Sequence, residues 1–264
     1  MGFFRTGLMS FLQRQASISG QAICSADQEA HGQVAGHAEG TGPGSNSLLE
    51  LIDRPTARRA FGALQDNLLA KWHETDTRRI VVCAATSGEG ASTVALGLAV
   101  ATARNQQERV LLIDGNVHHP CLAELWPGDR PSLADFLAGQ AALESILQQT
   151  PIRNLWVLNV GSDFSHYAQH LTAAPLRQAF AQLSQQFSRL IVDGPAVNSY
   201  PESPLYAHYA DSVLLVVAAG RSRAPVVQHA LAKFPLKLRE IIEVVLNRRI
   251  YPIPKVLYER LWSY

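Results

Sequence analysis

The sequence predicts an α/β fold in which a mostly parallel central sheet is flanked by helices. Short, almost entirely apolar segments alternate along the chain with longer amphipathic segments. Strands that are apolar on both faces are typical of a parallel sheet covered by helices on its two sides. The chain has 264 residues, of which 47% are hydrophobic, and this is enough for one full-sized core with some excess at the ends.

The alternation begins near residue 48 and locates the individual elements. The predicted strands are 79–84, 110–114, 155–159, 190–193, 212–218 and 242–246. The predicted helices are 57–72, 92–104, 133–137, 141–148 and 175–186. Ligands of such sheets bind at the carboxyl ends of the strands, so the residues that follow each strand are the first candidates for function.

The two ends of the chain differ from this central region. Residues 13–47 are rich in Gly, Ser, Gln, Ala and His without an apolar period, which predicts a flexible linker. Before it, the apolar side chains of residues 3–12 share one side of a helical wheel, which fits a short amphipathic anchor within 1–12 or an unstructured tail. The domain is predicted at 48–250, followed by a C-terminal tail at 251–264 whose apolar spacing favours a short packed helix.

Composition excludes several classes of function. The net charge of +1 gives no reason to expect a nucleic-acid partner. No apolar run approaches the ~18 residues of a membrane-spanning helix. The three cysteines, Cys24, Cys83 and Cys121, lack metal-type spacing, and their odd number favours free thiols in a reducing cytoplasm.

A phosphate-binding loop is predicted directly after the strand at 79–84. Gly88 and Gly90 allow the backbone to curl, so that successive N–H groups point into one concavity at the start of the next helix. Ser92 stands where the hydroxyl of a P-loop coordinates Mg²⁺, and Thr93 follows it. A glycine turn with a helix cap would explain two of these features, but not a strand, loop and helix in this order.

The loop lacks its usual lysine. The P-loop pattern has lysine directly before the Ser/Thr pair, and this chain has Ala91 there. That lysine reaches the β- and γ-phosphates, and loss of such a preorganised charge costs on the order of 3 kcal/mol of transition-state stabilisation. No other Lys or Arg occurs within the loop, so catalysis is expected to be compromised.

Three strand ends together resemble the bacterial tyrosine kinases of capsule and exopolysaccharide systems, which are relatives of the MinD/ParA ATPases. The resembling motifs are Gly-Glu-Gly-Ala-Ser-Thr at 88–93, Leu-Leu-Ile-Asp-Gly-Asn-Val-His-His-Pro at 111–120, and Leu-Ile-Val-Asp-Gly-Pro at 190–195. Further similar stretches, in the same order as in the family, are 133–139, 210–217 and 245–248. The resemblance extends over roughly residues 47–249 and implies a P-loop NTPase-like fold.

The resemblance also implies a ligand and the residues that bind it. The expected cofactor is ATP or ADP with Mg²⁺, bound weakly or not at all. It implies nucleotide contacts from Gly88, Glu89, Gly90, Ala91, Ser92, Thr93 and Asn247, the last near the base. It implies that Ser92, Asp114 and Asp193 bind the metal, and that Asp114 is a residual catalytic residue.

Departures from the family pattern weaken the same site. Asn116 and His118 stand where the second motif of the family has an aspartate and an arginine. The self-association helix of the family, Glu-x-x-Arg-x-x-Arg, aligns with Arg59, Gly62 and Gln65, so assembly into a ring is not expected from this segment.

The resemblance and its departures predict a degenerate pseudo-kinase or pseudo-ATPase that regulates exopolysaccharide or capsule biosynthesis. Its expected partner is an inner-membrane polysaccharide co-polymerase, chain-length regulator or synthase component, met at the cytoplasmic face of the membrane. Two alternatives stay open. One is an active tyrosine kinase or ATPase completed by a partner. The other is a MinD/ParA-like accessory protein of cellulose-type secretion, tethered through residues 3–12.

Overall fold

The computed structural model describes residues 23–24, 45–105, 108–122, 125–128, 130–161 and 173–248. The strands within this part are β1 (Ile23–Cys24), β2 (Arg79–Ala84), β3 (Val110–Asp114), β4 (Gln148–Gln149), β5 (Leu155–Asn159), β6 (Arg189–Asp193), β7 (Ser212–Ala218) and β8 (Ile242–Asn247). The α-helices are α1 (Ser45–Asp53), α2 (Pro55–Thr75), α3 (Ala91–Asn105), α4 (Leu133–Leu137), α5 (Leu143–Ile146), α6 (Ala173–Gln186), α7 (Glu202–Ala207) and α8 (Ala224–Ala232). The predicted anchor at 3–12 and the tail at 251–264 lie outside the described residues.

The strands form one sheet in the order β1-β8-β7-β2-β6-β3-β5-β4. Every neighbouring pair is parallel except β4 and β5, which are antiparallel. The strand that precedes the phosphate loop, β2, lies in the interior of the sheet between β7 and β6. The predicted fold class is therefore confirmed, and the phosphate loop stands at the centre of the carboxyl edge of the sheet.

Helices cover both faces of the sheet, and each face has its own hydrophobic cluster. The first cluster contains Phe61 and Trp72 of α2 together with the apolar side of α3. The second contains Phe180 of α6 and Tyr206 of α7. Helices α2 and α3 approach closely because residue 97 is glycine, and a Cβ there would collide with the Phe61 ring. The helix that follows the phosphate loop is thus fixed by tight packing.

Several short elements differ from the sequence-based expectation. The predicted helix at 141–148 ends at Ile146, because Gln148 and Gln149 pair with β5 instead. Within the predicted linker, Ile23 and Cys24 pair with Leu246 and Asn247 of β8, where the outer edge of the strand offers backbone hydrogen-bonding groups. Helix α1 begins at Ser45, three residues before the predicted domain boundary.

The helix α2 does not present the aligned self-association positions together. Arg59 is exposed, Gly62 is half-buried and Gln65 is fully buried in the domain. One surface therefore cannot contain all three. Within the described parts of the chain, no helix combines the length and the apolar character needed to cross a bilayer.

Candidate phosphate-binding site

The loop between β2 and α3 has the backbone shape that the sequence predicted. Gly88 and Gly90 have φ angles of 82° and 95°, a left-handed region that glycine adopts without steric cost. A Cβ at Gly90 would also collide with Nδ2 of Asn247, so only glycine fits there. The first N–H groups of α3 have no partner inside the helix and carry positive partial charge. Left-handed glycines followed by free N–H groups at a helix start are features that suit the binding of phosphate.

Glu89 holds the loop in this shape from within. Its side chain is buried, with 2% of the residue exposed. Its Oε2 accepts a hydrogen bond of 2.9 Å from the Thr86 backbone N–H, and its Oε1 accepts one from the Ser222 hydroxyl. These two donors engage the carboxylate within the protein, and the predicted contact between Glu89 and a nucleotide stays a prediction. Its role in the structure is to brace the loop.

Asn247 is placed beside the loop by the end of β8. Its Nδ2 donates a hydrogen bond of 2.9 Å to the backbone carbonyl of Glu89, and its Oδ1 accepts one of 2.8 Å from the N–H of Arg248. Both ends of the amide are therefore used within the protein. A contact between Asn247 and the base stays a prediction, and the structure adds a second role, that of tying β8 to the loop.

Two aspartates meet at the carboxyl edge next to the loop. Asp114 ends β3 and Asp193 ends β6, and the two are partners in the register of these neighbouring strands. Asp114 is buried, and its Oδ2 accepts a hydrogen bond of 3.0 Å from the Leu122 N–H. Asp193 has 0% exposure, and neither of its carboxylate oxygens completes a hydrogen bond with a described residue.

The electrostatics of Asp193 reflect this environment. Burial, and then the negative charge of Asp114, raise the pKa of Asp193 well above its usual value, and the Ser92 side chain opposes this shift in part. The structure thus brings together Ser92, Asp114 and Asp193, the three residues predicted to bind the metal. Cys121 is close to these three residues. Burial, and then the negative charge of Asp193, raise the pKa of the Cys121 thiol to about 11.

This group of residues fits a Mg²⁺ ion that is bound together with phosphate. Mg²⁺ typically takes one or two protein carboxylates and completes its shell with water and phosphate oxygens. A buried carboxylate that no backbone N–H and no cationic side chain among the described residues compensates, such as Asp193, favours a cation. No group of three or more His, Cys, Asp or Glu side chains among the described residues is placed to hold a metal alone, so phosphate and water would complete the shell.

The distribution of positive charge differs from the sequence-based expectation. Ala91 is the first residue of α3, is partly buried, and packs against the core cluster of that face. The sequence offers no cation within the loop itself. However, Nη1 of Arg221 lies 3.9 Å from the position that a Cβ on Gly88 would take. The sequence contains one signal for this proximity. Arg221 follows β7, and β7 is the parallel neighbour of β2, so the residues after the two strands lie at the same edge of the sheet.

The two remaining departures from the family pattern, Asn116 and His118, serve the local structure. Nε2 of His118 lies 3.0 Å from Oε1 of the buried Glu202. The His118 ring also stacks on Tyr200, with ring centroids 3.6 Å apart and planes inclined by 10°. Oδ1 of Asn116 accepts a hydrogen bond of 3.2 Å from the His119 N–H.

Comparison with known proteins finds similarity to a tyrosine-protein kinase and to an exopolysaccharide transport protein. No family model matches it. It is 28% identical over 178 residues to the succinoglycan biosynthesis transport protein ExoP of Rhizobium meliloti, covering 66% of this chain but only 22% of ExoP. It is 22% identical over 214 residues to the putative tyrosine-protein kinase CapB of Staphylococcus aureus, covering 79% of this chain and 92% of CapB.

Solved structures show the same fold. The kinase domain of the Escherichia coli tyrosine kinase ETK superposes with a TM-score of 0.69 at 22% identity, covering 84% of this chain and 86% of that domain. The septum site-determining protein MinD of Pyrococcus horikoshii, in complex with Mg-ADP, superposes with a TM-score of 0.51 at 21% identity, covering 71% of this chain and 78% of MinD.

Proposed function

Since the chain is a relative of the bacterial tyrosine kinases within the MinD/ParA group of P-loop proteins, we propose that it is a degenerate, nucleotide-binding member that regulates exopolysaccharide or capsule biosynthesis. On this view the protein binds ATP or ADP with Mg²⁺ and transmits the bound state to a partner. Phosphoryl transfer is slow or absent.

One observation carries this proposal: the loop after β2 has left-handed glycines and neighbouring buried carboxylates, while alanine stands at the position of the family lysine. Gly88 and Gly90 have the conformations of a phosphate loop, and Asp193 is buried beside it. At the position of the family lysine, Ala91 packs against the core instead. A site with backbone donors and metal ligands but without the lysine is expected to bind phosphate better than it catalyses transfer.

Different groups of the chain would bind the phosphate and the metal ion. Backbone N–H groups of the loop and of the first turn of α3 would bind phosphate oxygens, and the Thr93 backbone belongs to this turn. Ser92, Asp114 and Asp193 would hold Mg²⁺. The bound ion would neutralise phosphate charge, and it would also compensate the buried carboxylate of Asp193.

The proposed partner is an inner-membrane polysaccharide co-polymerase, chain-length regulator or synthase component. Support comes from the kinship with tyrosine kinases and from ExoP, which is named for succinoglycan biosynthesis and transport. The proposal places the protein in the cytoplasm, at the inner face of the membrane. A peripheral contact through residues 3–12 is part of the proposal and concerns residues outside the described structure.

A nucleotide titration tests the binding claim directly. We expect the purified protein to bind ATP more tightly with Mg²⁺ than with EDTA. Ala91→Lys should tighten binding by about tenfold or more, because it restores a charge-assisted contact with phosphate. Absence of binding in both forms would show that the site is a relic and would overturn the nucleotide part of the proposal.

Turnover decides between a regulator and an enzyme. We expect neither steady ATP hydrolysis nor tyrosine autophosphorylation from the purified protein. Robust turnover that Asp193→Ala abolishes would overturn the pseudo-enzyme assignment. Turnover that appears only on addition of the membrane partner would support the alternative of an enzyme completed by that partner. Deletion of residues 3–12 tests the other alternative, a tethered accessory protein, which predicts that the deletion abolishes membrane association.

A further inference from the structure

We propose that Arg221 supplies the positive charge that the phosphate loop lacks at position 91, by contacting the polyphosphate of the bound nucleotide. This inference rests on the proposed nucleotide-binding function and adds a residue outside the loop to it. Nη1 of Arg221 lies 3.9 Å from the position of a Cβ on Gly88, so the guanidinium lies beside the loop at this glycine.

The turn after β7 gives Arg221 this position. β7 ends at Ala218, and the chain reverses at once, with the N–H groups of Arg221 and Ser222 donating to the carbonyl of Ala218 at 3.2 and 2.9 Å. Gly220 has a φ of 71°, which permits the reversal. The N–H of Ala219 donates to the carbonyl of Asn247 at 2.8 Å, so the turn is also bound to the end of β8.

A side-chain contact then fastens this turn to the phosphate loop. The Ser222 hydroxyl donates to Oε1 of Glu89 and accepts a hydrogen bond of 2.8 Å from the Ala218 N–H. Arg221 is the residue before this tether. Its backbone is therefore fixed relative to Gly88, although its side chain reaches into solvent.

Arg221 is available for a ligand, whereas Arg79 and Arg104 are each engaged in an ion pair. Its residue is exposed, and no ion pair or hydrogen bond of its side chain is found within the part of the chain that the structure describes. Arg79, by contrast, is paired with Asp211, and Arg104 with Asp53. The carboxylate of the loop itself, Glu89, is already engaged by Thr86 and Ser222, so it does not draw the guanidinium away.

The chemistry of the guanidinium suits the task. Its planar set of N–H donors binds phosphate oxygens in pairs, and it stays charged at every physiological pH. It approaches from the turn after β7, whereas the lysine of a complete P-loop approaches from the start of α3. The proposed contact thus replaces the charge from a different element of the fold.

The test compares two arginines of the same turn region. Arg223 is also exposed, precedes α8, and makes no capping hydrogen bond with its side chain. We expect Arg221→Gln to weaken binding of Mg-ATP about five- to tenfold, because the contact between the guanidinium and phosphate is lost. The salt dependence of binding should also decrease, because salt screens an exposed contact of this kind. Arg223→Gln should change the affinity less than twofold, and Arg221→Lys should lie between wild type and Arg221→Gln.

A second pair of variants separates charge replacement from a structural effect. In the Ala91→Lys background, Arg221→Gln should cost less than threefold, since the lysine already supplies the charge. Thermal unfolding of each variant checks that the fold is kept. If the wild type binds Mg-ATP while Arg221→Gln and Arg223→Gln bind equally well, this inference is overturned and the proposed function stands. If the wild type binds no nucleotide, this inference is overturned, and if Ala91→Lys binds none either, the nucleotide part of the proposed function is overturned with it.

Discussion

Asp211 and Asp193 lie at opposite ends of the same parallel sheet, and their surroundings differ. Asp211 precedes β7 and accepts hydrogen bonds from the N–H groups of Arg78 and Arg79, at 3.0 and 2.8 Å, and from the Arg79 guanidinium. Burial alone would raise the pKa of Asp211, but Arg79 and the backbone donors outweigh it and lower the pKa. At the carboxyl end, Asp193 has no such donors, and its pKa is raised.

This difference separates a carboxylate that maintains the fold from one that is kept for binding. An ionised group with compensating donors adds to the free energy of unfolding, and one without them subtracts from it. Strongly perturbed carboxylates of the second kind cluster at functional sites. The contrast therefore supports the carboxyl edge as the site of function, independently of any motif.

The largest expected effect is at the amino end. Asp211→Ala removes a half-buried acceptor and leaves two backbone N–H groups and a guanidinium without it, so we expect a loss of about 3 kcal/mol in the free energy of unfolding. The control is Asp76→Asn, which removes an exposed ion pair with Arg78 at 3.3 Å, keeps a residue that tolerates the left-handed φ of 46° at this position, and should cost less than about 0.5 kcal/mol. Urea unfolding measures both, and equal losses would contradict the role given to Asp211.

The next largest effect is expected from adding a side chain at Gly90 of the phosphate loop. Gly90→Ala combines a positive φ with a collision against Asn247, and we expect about 2 kcal/mol of destabilisation together with loss of nucleotide binding. Gly139 is the matched control, because its φ of 74° is also positive but a Cβ there would meet nothing within 4 Å. Gly139→Ala should cost about 1 kcal/mol and leave binding unchanged. A Gly90→Ala protein that binds Mg-ATP normally would argue against the loop as the site.

Asp193→Asn should have the opposite sign. Removing a buried carboxylate that no backbone N–H and no cationic side chain compensates is expected to stabilise the nucleotide-free protein by about 1 kcal/mol, measured in EDTA by urea unfolding. The same change should abolish the gain in nucleotide affinity that Mg²⁺ gives. If the variant is instead less stable than the wild type, Asp193 belongs with Asp211 as a residue of the fold.

The smallest effect is in the pH dependence of stability. The folded pKa of Asp211 lies below its usual value of 3.8, so its contribution is present above pH 3.8 and is lost as the pH falls through the folded pKa. The folded pKa of Asp193 lies above 3.8, so its contribution is complete below that pH and is lost as the pH rises toward the folded value.

Unfolding of Asp211→Asn and Asp193→Asn between pH 3 and 7 separates these contributions. The deficit of Asp211→Asn relative to wild type should shrink below about pH 4, and the advantage of Asp193→Asn should grow above it. Each slope is at most about 1.4 kcal/mol per pH unit for one proton. Parallel curves for both variants would remove the contrast between the two ends of the sheet.

Sequence patterns predicted the strands well because those strands are buried on both faces. The bounds of β2, β3, β5 and β7 agree with prediction, since continuous apolar runs end where the chain reaches the edge of the sheet. β1 and β4 were missed because each has two residues and is defined by pairing with a distant strand. Local periodicity contains no information of that kind.

The part of the candidate site that is formed by the sequence motifs at the strand ends was predictable. The glycine conformations at 88 and 90 and the adjacency of Asp114 and Asp193 follow from motif order and parallel strand ends. The bracing role of Glu89 and the approach of Arg221 were not predicted. Both depend on a turn more than a hundred residues further along, and side-chain hydrogen bonds over that separation leave no periodic trace.

The two-residue strand β1 gives the phosphate loop a mechanical link to the start of the chain. Cys24 is the register partner of Asn247, and the amide of Asn247 is bonded to the carbonyl of Glu89 in the loop. A displacement of Ile23 and Cys24 would therefore move β8 first and then the loop. If the loop binds nucleotide as proposed, displacement of β1 would change the affinity, and bound nucleotide would in turn oppose that displacement.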